Sequence, residues 1–395
     1  MSNAESSAST PGNRLVIALV AGEASGDQLG GALIEALKQD HPHARFVGVG
    51  GPRMASAGME CWWPADELAV MGLFEVLHHL PRLLRLRKAL TRRIIETRPD
   101  LLVGIDAPDF NLGLERRVRS AGIKTAHYVS PTVWAWRQGR VRTIKASAET
   151  VMCLFPFEPA FYAEHGVPAL YTGHPTADEI PLESDAAAAR SRLGLEGSGP
   201  WVALLPGSRL GEVSRLATPL IESAKILSER FPGIQFLAPM ANGPARECFE
   251  KALREQEHLA IHLVDGQSRT AMAAADVVAC ASGTAALEAM LVNRPIVVTY
   301  KLSALTYFTA RALRLFRNRF FSLPNLLAGE ALVPELLQKD ASPQGIATEV
   351  SRWLTEPEQV KRLQTRFHEL HKALKRDAAR SAARCVTALI EGRVE

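Results

Sequence analysis

Two loops of small polar residues follow apolar segments in the C-terminal half of the chain. Residues 202–205 (VALL) run into 206–209 (PGSR), and residues 277–280 (VVAC) run into 281–284 (ASGT). A buried strand that ends in such a loop and opens a helix presents free backbone N–H groups and a positive helix end to an anion. Two loops of this kind fit the two phosphates of a nucleotide-sugar diphosphate. The candidate phosphate-binding residues are Gly207, Ser208, Arg209, Ser282, Gly283 and Thr284.

A carboxylate follows the second loop at helical spacing. The sequence continues as Ala285-Ala286-Leu287-Glu288, which puts Glu288 about one helical turn beyond Gly283. There it could accept hydrogen bonds from the hydroxyls of a ribose. The combination indicates binding of UDP or a relative of UDP.

The first apolar segment of the chain also ends in a loop rich in glycine. Residues 15–20 run into 22–27 (GEASGD), where glycine permits close approach of the backbone to a ligand or to a sheet. Helix capping by Ser25 or Asp27 is the alternative explanation of this loop. Glu23 is a charged residue that capping does not require. We therefore predict ligand contacts here from Glu23, Ser25, Gly26 and Asp27.

Residues 101–105 run into Asp106-Ala107-Pro108-Asp109-Phe110-Asn111. A carboxylate at a strand end could take the proton from an attacking hydroxyl, and Asp106 is the better candidate for this base. Asp109, beside Pro108, is predicted to cap a helix. A single D-x-x-D pair is weak evidence for Mg²⁺, so no metal or other cofactor is predicted.

Residues 127–137 (HYVSPTVWAWR) form a loop dense in aromatic and polar groups. Its two tryptophans could line a wall on which a sugar stacks, although packing in a core explains them equally well. The predicted acceptor-side contacts in this loop are His127, Ser130 and Trp134.

Apolar segments alternate with helical patterns along the whole chain. Strands are predicted at 15–20, 45–49, 101–105, 125–129, 151–155, 202–205, 235–238, 261–264, 277–280 and 296–300, and a helix is predicted over 219–230. Continuously apolar strands separated by helices indicate parallel sheets covered on both faces. The fold class is therefore α/β, with two doubly wound Rossmann-like domains. Because ligands bind beyond the carboxyl ends of the strands, we expect the two domains to face a cleft.

The composition of the chain limits the classes of protein to which it could belong. The chain has 395 residues, 47% of them hydrophobic and 22% charged, and no run of about 18 uncharged apolar residues that could span a membrane. A net charge of +4 gives no reason to expect nucleic acid as a partner. Five scattered cysteines without close pairs are typical of reduced thiols in a cytosol.

The motifs together resemble the lipid-A-disaccharide synthase family of Gram-negative bacteria. The matching blocks are LVAGEASGDQLGG, FVGVGGPRM, ELAVMG, FEVL, VGIDAPDFN, HYVSPTVWAWR, FPFE, ALLPGSR, GEV, ASGTAALE and SLPNLLAG. The resemblance implies a B-type (GT-B) glycosyltransferase fold. It also implies an inverting transfer of 2,3-diacylglucosamine from UDP to the 6-hydroxyl of 2,3-diacylglucosamine 1-phosphate. Asp106 stands at the position of the family's general base, Arg209 at that of a diphosphate-binding arginine, and Glu23 and Asn325 at other active-site positions.

Two other functions stay open at this point. One is another UDP-sugar enzyme of the same fold, such as a non-hydrolysing epimerase, and the other is a non-catalytic, membrane-associated nucleotide-sugar binding protein. The VSPTVWAWR and SLPNLLAG blocks argue against the first. The presence of a candidate base together with both phosphate loops argues against the second.

An acylated substrate would require access to a membrane surface. Residues 65–93 are predicted as two helices broken at Pro81, with leucines at helical spacing followed by six basic residues, a pattern typical of peripheral binding to anionic lipid. The segment 308–321, which carries four arginines among phenylalanines, is a second candidate. A solvated helix face explains either pattern without a membrane. The predicted location is the cytoplasm, at the inner membrane.

The predicted domain bounds are a disordered leader (1–13), an acceptor-binding domain (14–178), a UDP-sugar domain (179–345) and C-terminal helices (346–395). The C-terminal helices are expected to return to the first domain or, in a homodimer, to be exchanged between subunits.

Overall fold

The computed structural model describes residues 14–68, 73–134, 138–256, 259–302 and 319–393, with only the backbone of 73–79 and 138. The expected leader 1–13 and the segment 303–318 lie outside the described residues. The chain forms two compact units. The first contains the residues up to Pro175 together with Arg376–Glu395, and the second contains Thr176–Lys375.

The first unit contains a parallel sheet. Its strands are β1 (Val16–Ala21), β2 (Arg45–Gly50), β3 (Glu60–Pro64), β4 (Leu101–Ile105), β5 (Thr125–Tyr128), β6 (Thr150–Cys153) and β7 (Ala169–Tyr171). Its helices before the crossing to the second unit are α1 (Ala24–Asp40), α2 (Pro52–Ser56), α3 (Leu73–Thr97), α4 (Pro108–Ser120), α5 (Val141–Ser147) and α6 (Glu158–Ala163). The strand order among the described residues is β3-β2-β1-β4-β5-β6-β7.

The second unit repeats this organisation. Its strands are β8 (Trp201–Leu205), β9 (Gln235–Met240), β10 (His262–Asp265), β11 (Val277–Ala281), β12 (Ile296–Tyr300) and β13 (Glu335–Leu337). Its helices are α7 (Pro175–Glu179), α8 (Ala186–Arg192), α9 (Leu210–Arg230), α10 (Gly243–Leu253), α11 (Ser268–Ala274), α12 (Thr284–Leu291), α13 (Leu323–Ala328), α14 (Pro343–Thr355) and α15 (Pro357–Leu374). The described strands lie in the order β10-β9-β8-β11-β12-β13. The chain then returns to the first unit as α16 (Ala378–Ile390).

Each central strand is buried on both faces, which is why it reads as continuously apolar. In β1, Ile17 and Leu19 pack in the cluster that includes residues of α1 and α16, whereas Ala18 and Val20 pack in the cluster with residues of α3 and α4. The strand order reverses between β1 and β4 in the first sheet, and between β8 and β11 in the second. In doubly wound sheets this reversal is where ligands bind.

The C-terminal helices differ from the expected arrangement. Helix α14 packs against α9, and α15 packs against α12 and α13, so both belong to the second unit. Helix α16 packs against α1 of the first unit, where Arg380 donates hydrogen bonds to Asp40 and to the carbonyl of Ala36. The return to the first unit therefore involves residues 376–395 and not 346–395.

Two helix boundaries that were predicted at prolines are wrong. Helix α3 runs from Leu73 to Thr97 with Pro81 inside it, instead of breaking there. Helix α9 begins at Leu210 and contains Pro219, which we expected to mark the start of the helix. A proline within a long helix removes one backbone hydrogen bond. In α9, burial of the helix face around Pro219 offsets that loss, whereas Pro81 of α3 is exposed.

Candidate functional site

In the second unit, the predicted phosphate loops lie side by side. Strand β8 pairs with β11 in parallel register, with Leu205 opposite Cys280, so both loops leave the same edge of the sheet. A cavity of about 530 Å³ opens at this edge. Its lining includes every residue predicted to bind the nucleotide sugar: Gly207, Ser208, Arg209, Ser282, Gly283, Thr284 and Glu288.

The loop after β8 has a fixed backbone and an exposed cationic side chain. Gly207 has φ +111°, and a Cβ atom at this position would lie 2.6 Å from a carboxylate oxygen of Glu212. The side-chain amide of Asn242 donates to the carbonyl of Ser208 over 3.1 Å. The side chain of Arg209 is 81% exposed, with Nη1 3.5 Å from Glu212 Oε1. Because most of the side chain is exposed, the guanidinium can also reach an anion in the cavity.

The loop after β11 depends on the backbone freedom of glycine. Gly283 precedes α12 with φ +144° and ψ −151°, a conformation that is restricted to glycine in practice. No described atom lies within 4 Å of an added Cβ, so the backbone angles and not crowding select glycine here. The first N–H groups of α12 have no partner within the helix and lie at the cavity wall.

Glu288 is held by an arginine that the sequence analysis missed. Arg269 Nε donates to Glu288 Oε1 over 2.8 Å, and Arg269 Nη1 contacts Glu179 Oε2 at 2.6 Å. Arg269 lies in α11, and its spacing from Glu288 in sequence gives no signal of the pairing. The ion pair orients the Glu288 carboxylate at the cavity wall before any ligand binds.

In the first unit, the loops after β1 and β4 meet at the reversal of strand order. Ala21 pairs with Ile105 at the ends of the two strands. A Cβ atom on Gly22 would lie 3.3 Å from that of Ala107, so these loops are in contact. Asp106 is partly exposed beside them, and no hydrogen bond to its carboxylate is found among the described residues. Glu23 and Ser25 are exposed, and neither side chain caps α1.

Asp27 and Gly26 have structural roles instead of the predicted ligand contacts. The Asp27 carboxylate is 4% exposed and accepts hydrogen bonds from the backbone N–H groups of Gly51, Arg53 and Met54 at 2.7–3.0 Å. It therefore caps α2, the helix after β2. Gly26 is buried against Ala21, which leaves it no surface for an acceptor.

Asp109 does not cap α4 as predicted. The N-cap position is Ala107, which has a left-handed backbone, and Asp109 points into solvent at 85% exposure. Its carboxylate forms an ion pair with Arg140.

His127 is also unavailable to a ligand. It lies within β5 with its side chain fully buried, and its Nδ1 is 2.7 Å from Glu115 Oε1 on α4. The imidazole therefore belongs to the contact between the sheet and α4.

Asn325 is 1% exposed, and its side-chain amide forms hydrogen bonds to neighbouring residues of the same unit. Its Nδ2 donates to the carbonyl of Val333 and to Glu335 Oε1, and its Oδ1 accepts from the N–H groups of Leu332 and Val333. In this structure it holds the loop between α13 and β13 and does not contact solvent.

Ser130 and Trp134 converge on a carboxyl group that the sequence analysis did not assign. Trp134 Nε1 donates to Glu158 Oε1 over 3.0 Å, and Phe155 N donates to Glu158 Oε2 over 2.9 Å. Ser130 Oγ is 2.9 Å from the hydroxyl of Tyr162 in the same cluster. Glu158 is 2% exposed, and burial raises the pKa of its carboxyl to about 7. Trp134 remains partly exposed, whereas Trp136 lies outside the described residues.

Within the described part of the chain, no group of three or more His, Cys, Asp or Glu side chains is arranged to hold a metal ion. The five cysteines are free thiols. Of the described helices, none combines the length and apolar character needed to cross a bilayer.

Two doubly wound units, each with a reversal of strand order, are typical of the GT-B fold of B-type glycosyltransferases. UDP-GlcNAc 2-epimerase from Neisseria meningitidis, solved with UDP-GlcNAc bound, has the same fold, with a TM-score of 0.57 and 11% identity over 96% of this chain and 100% of that chain. MurG of Acinetobacter baumannii matches with a TM-score of 0.57 and 13% identity over 95% of this chain and 99% of that chain.

Comparison of sequences identifies the family, which the fold alone does not. The family model of lipid-A-disaccharide synthetase matches residues 17–390. The lipid-A-disaccharide synthase of Alcanivorax borkumensis is 50% identical over 95% of this chain and 98% of its own length. That of Pseudomonas aeruginosa is 51% identical over 96% and 99%. The chain belongs to the lipid-A-disaccharide synthase family and is a glycosyltransferase.

Proposed function

We propose that this enzyme transfers 2,3-diacylglucosamine from UDP-2,3-diacylglucosamine to the 6-hydroxyl of 2,3-diacylglucosamine 1-phosphate. The products are the β-1,6-linked disaccharide 1-phosphate and UDP. The observation that carries the proposal is the cavity of the second unit, where two phosphate loops and an oriented carboxylate share one edge of the sheet.

The cavity suits the donor and its leaving group. The exposed guanidinium of Arg209 and the N–H groups beside Gly207 and Gly283 supply positive charge for the diphosphate, and Glu288 accepts from the ribose hydroxyls. As the bond between the anomeric carbon and the phosphate oxygen breaks, its electron pair leaves with UDP. Donors already in place for that charge stabilise the transition state more than the ground state.

Asp106 acts as the general base in this proposal. Its carboxylate takes the proton of the acceptor's 6-hydroxyl while that oxygen bonds to the opposite face of the anomeric carbon, which inverts the configuration. Glu23 and Ser25, exposed on the adjoining loop, contact the acceptor. The buried Asn325 contributes by holding the loop between α13 and β13 in place. No metal takes part in the proposed reaction.

We further propose peripheral binding to the inner membrane at its cytoplasmic face through α3. Leu80 and Leu84 are 42% and 45% exposed, next to exposed Arg85 and Lys88. Further along the same helix Leu86, Leu90 and Ile94 are buried in the core. The leucines near the start of the helix thus remain available to lipid. Leu73 and Leu77 lie where only the backbone is described.

The test is release of UDP from UDP-2,3-diacylglucosamine, with and without the 1-phosphate acceptor, in detergent and EDTA. We expect turnover that requires the acceptor and persists in EDTA. Asp106→Ala should reduce kcat by about 10²- to 10⁴-fold, the usual contribution of a general base.

Asp109→Ala is the matched control, because this exposed carboxylate lies three residues after Asp106, in the first turn of α4. We expect it to retain turnover. UDP release without acceptor would indicate a hydrolase or another UDP-sugar enzyme of this fold. Equal turnover by wild type and Asp106→Ala would contradict the assignment of the base.

A further inference from the structure

Asn111, in the first turns of α4, joins the ends of two strands by one side-chain amide. It is fully buried. Its Nδ2 lies 3.2 Å from the carbonyl oxygens of Val20 and Ile105, and 2.8 Å from that of Asp106. The two hydrogens of the amide are thus shared among three carbonyls, one on β1 and two at the end of β4. The shortest of these bonds is to Asp106 itself.

The backbone at this point has a conformation that needs support. Asp106 and Ala107 are consecutive non-glycine residues with left-handed backbones, at φ +51° and +43°. Such residues persist only where the surrounding structure holds them, and they cluster at functional sites. The N–H of Asp106 donates to the carbonyl of Tyr128 over 2.8 Å, and its carbonyl accepts from Asn111. Both backbone polar groups of Asp106 are therefore fixed.

The buried face of α4 includes two polar residues among its apolar ones. One turn after Asn111, Glu115 is also fully buried and bonds to His127 of β5. Gly104 of β4 makes room for these side chains, since an added Cβ would lie 1.9 Å from Glu115 Oε1. Asn111 Oδ1 has no hydrogen-bond partner among the described residues. A buried amide with an unsatisfied oxygen costs stability, so packing alone does not explain the choice of asparagine here.

We infer that Asn111 is a positioning residue, which holds Asp106 in the backbone conformation that presents its carboxylate to the acceptor hydroxyl. This inference rests on the proposed role of Asp106 as general base. Asn111 contacts neither substrate, because its side chain is buried beneath the loop. Its effect on the reaction therefore passes through Asp106.

The test is a double-mutant cycle with Asn111→Leu, Asp106→Ala and the double variant, assayed by acceptor-dependent UDP release. Leucine has a similar size and removes all three hydrogen bonds. We expect Asn111→Leu to lower kcat by about 10- to 100-fold, the effect of a misplaced catalytic group, with little change in KM for either substrate. In the Asp106→Ala background the same substitution should produce no further loss, because residues that act as one unit are not additive.

Ser147→Ala is the matched control. Ser147 is fully buried, and its hydroxyl donates to the carbonyl of Leu112 on α4, away from Asp106. It should lower the melting temperature and leave kcat unchanged. If Asn111→Leu fails to unfold cooperatively or to bind UDP, Asn111→Ser, which keeps one donor, takes its place in the cycle.

The outcomes separate this inference from the proposed function. Full activity of Asp106→Ala would show that Asp106 is not the general base, and the inference about Asn111 would then be wrong as well. Loss of activity in Asp106→Ala, combined with a multiplicative further loss in the double variant, would overturn the inference about Asn111 alone. A raised KM at unchanged kcat in Asn111→Leu would also overturn it.

Discussion

Gly283 lines the proposed donor cavity in a backbone conformation that other residues rarely adopt. At φ +144° an alanine is strained by about 1–3 kcal/mol, although the space around an added Cβ is open. The loop must then either bear the strain or change shape. We expect Gly283→Ala to weaken UDP binding by about 5- to 150-fold in calorimetric titration, because each 1.4 kcal/mol is tenfold in affinity.

Gly243→Ala is the control for this substitution. Gly243 begins α10 in the same unit, an added Cβ also meets open space, and its φ lies outside the positive range. The control should bind UDP like the wild type. Equal affinities of Gly283→Ala and the wild type would mean that the loop conformation has no part in binding.

The residues predicted to bind the donor lie together at one cavity, whereas several of the predicted acceptor-side residues are buried. The position of residues 207–209 and 282–284 could be predicted because glycine and small polar residues at a strand end act mainly through their local backbone. That they bind a ligand stays a prediction. The roles of Asp27 and Asn325 depend on partners that are distant or specific to the loop, namely the backbone of α2 and the segment before β13. A carboxylate or amide that binds backbone N–H groups looks the same in sequence as one that binds a ligand.

Helix α6 and the loop 130–134 are joined through the buried carboxyl of Glu158. Burial raises its pKa from an ordinary 4.5 to about 7, against the opposing effect of hydrogen bonds from Phe155, Ser130 and Trp134. The folded state therefore binds this proton more tightly than the unfolded state. The stability that the protonated Glu158 carboxyl contributes to the folded state is complete below about pH 4.5 and is lost as pH rises to about 7.

Glu158→Gln should remove this pH dependence. The free energy of unfolding of the variant, relative to the wild type, should rise by on the order of 1–3 kcal/mol between about pH 5 and about pH 8. Denaturant titrations at the two pH values measure it. Glu164→Gln, an exposed residue at the end of the same helix, should show no such change. A constant difference between Glu158→Gln and the wild type would contradict the raised pKa.

At the scale of elements, the central strands were predicted within one or two residues because burial on both faces makes them uniformly apolar. Strands β3, β7 and β13 were missed. They lie at sheet edges or are only three residues long, and their exposed and half-buried residues lack that pattern. The predicted alternation of strands and helices in two doubly wound halves was confirmed, since the order of elements needs only the central strands.

At the scale of the whole molecule, an acylated substrate requires a route from a bilayer to a water-exposed site. The proposed contact with the bilayer rests on the exposed leucines of α3, Leu80 and Leu84. Apolar burial and attraction of arginine and lysine to anionic lipid contribute together in such helices, and only the second is weakened by salt.

Leu80→Ser/Leu84→Ser should therefore reduce binding to phosphatidylglycerol vesicles on the order of tenfold, because partial burial of two leucines contributes a few kcal/mol at most. Co-sedimentation at low and high salt measures this binding, and raised salt should weaken the binding of both the wild type and the double variant.

Leu170→Ser is the control, since Leu170 is equally exposed at 45% but lies on β7. Loss of binding in the control as well would mean that any exposed leucine affects association. Unchanged binding of the double variant would place the membrane contact on another part of the chain, and the segment 308–321, with its arginines and phenylalanines, would then be the one to substitute.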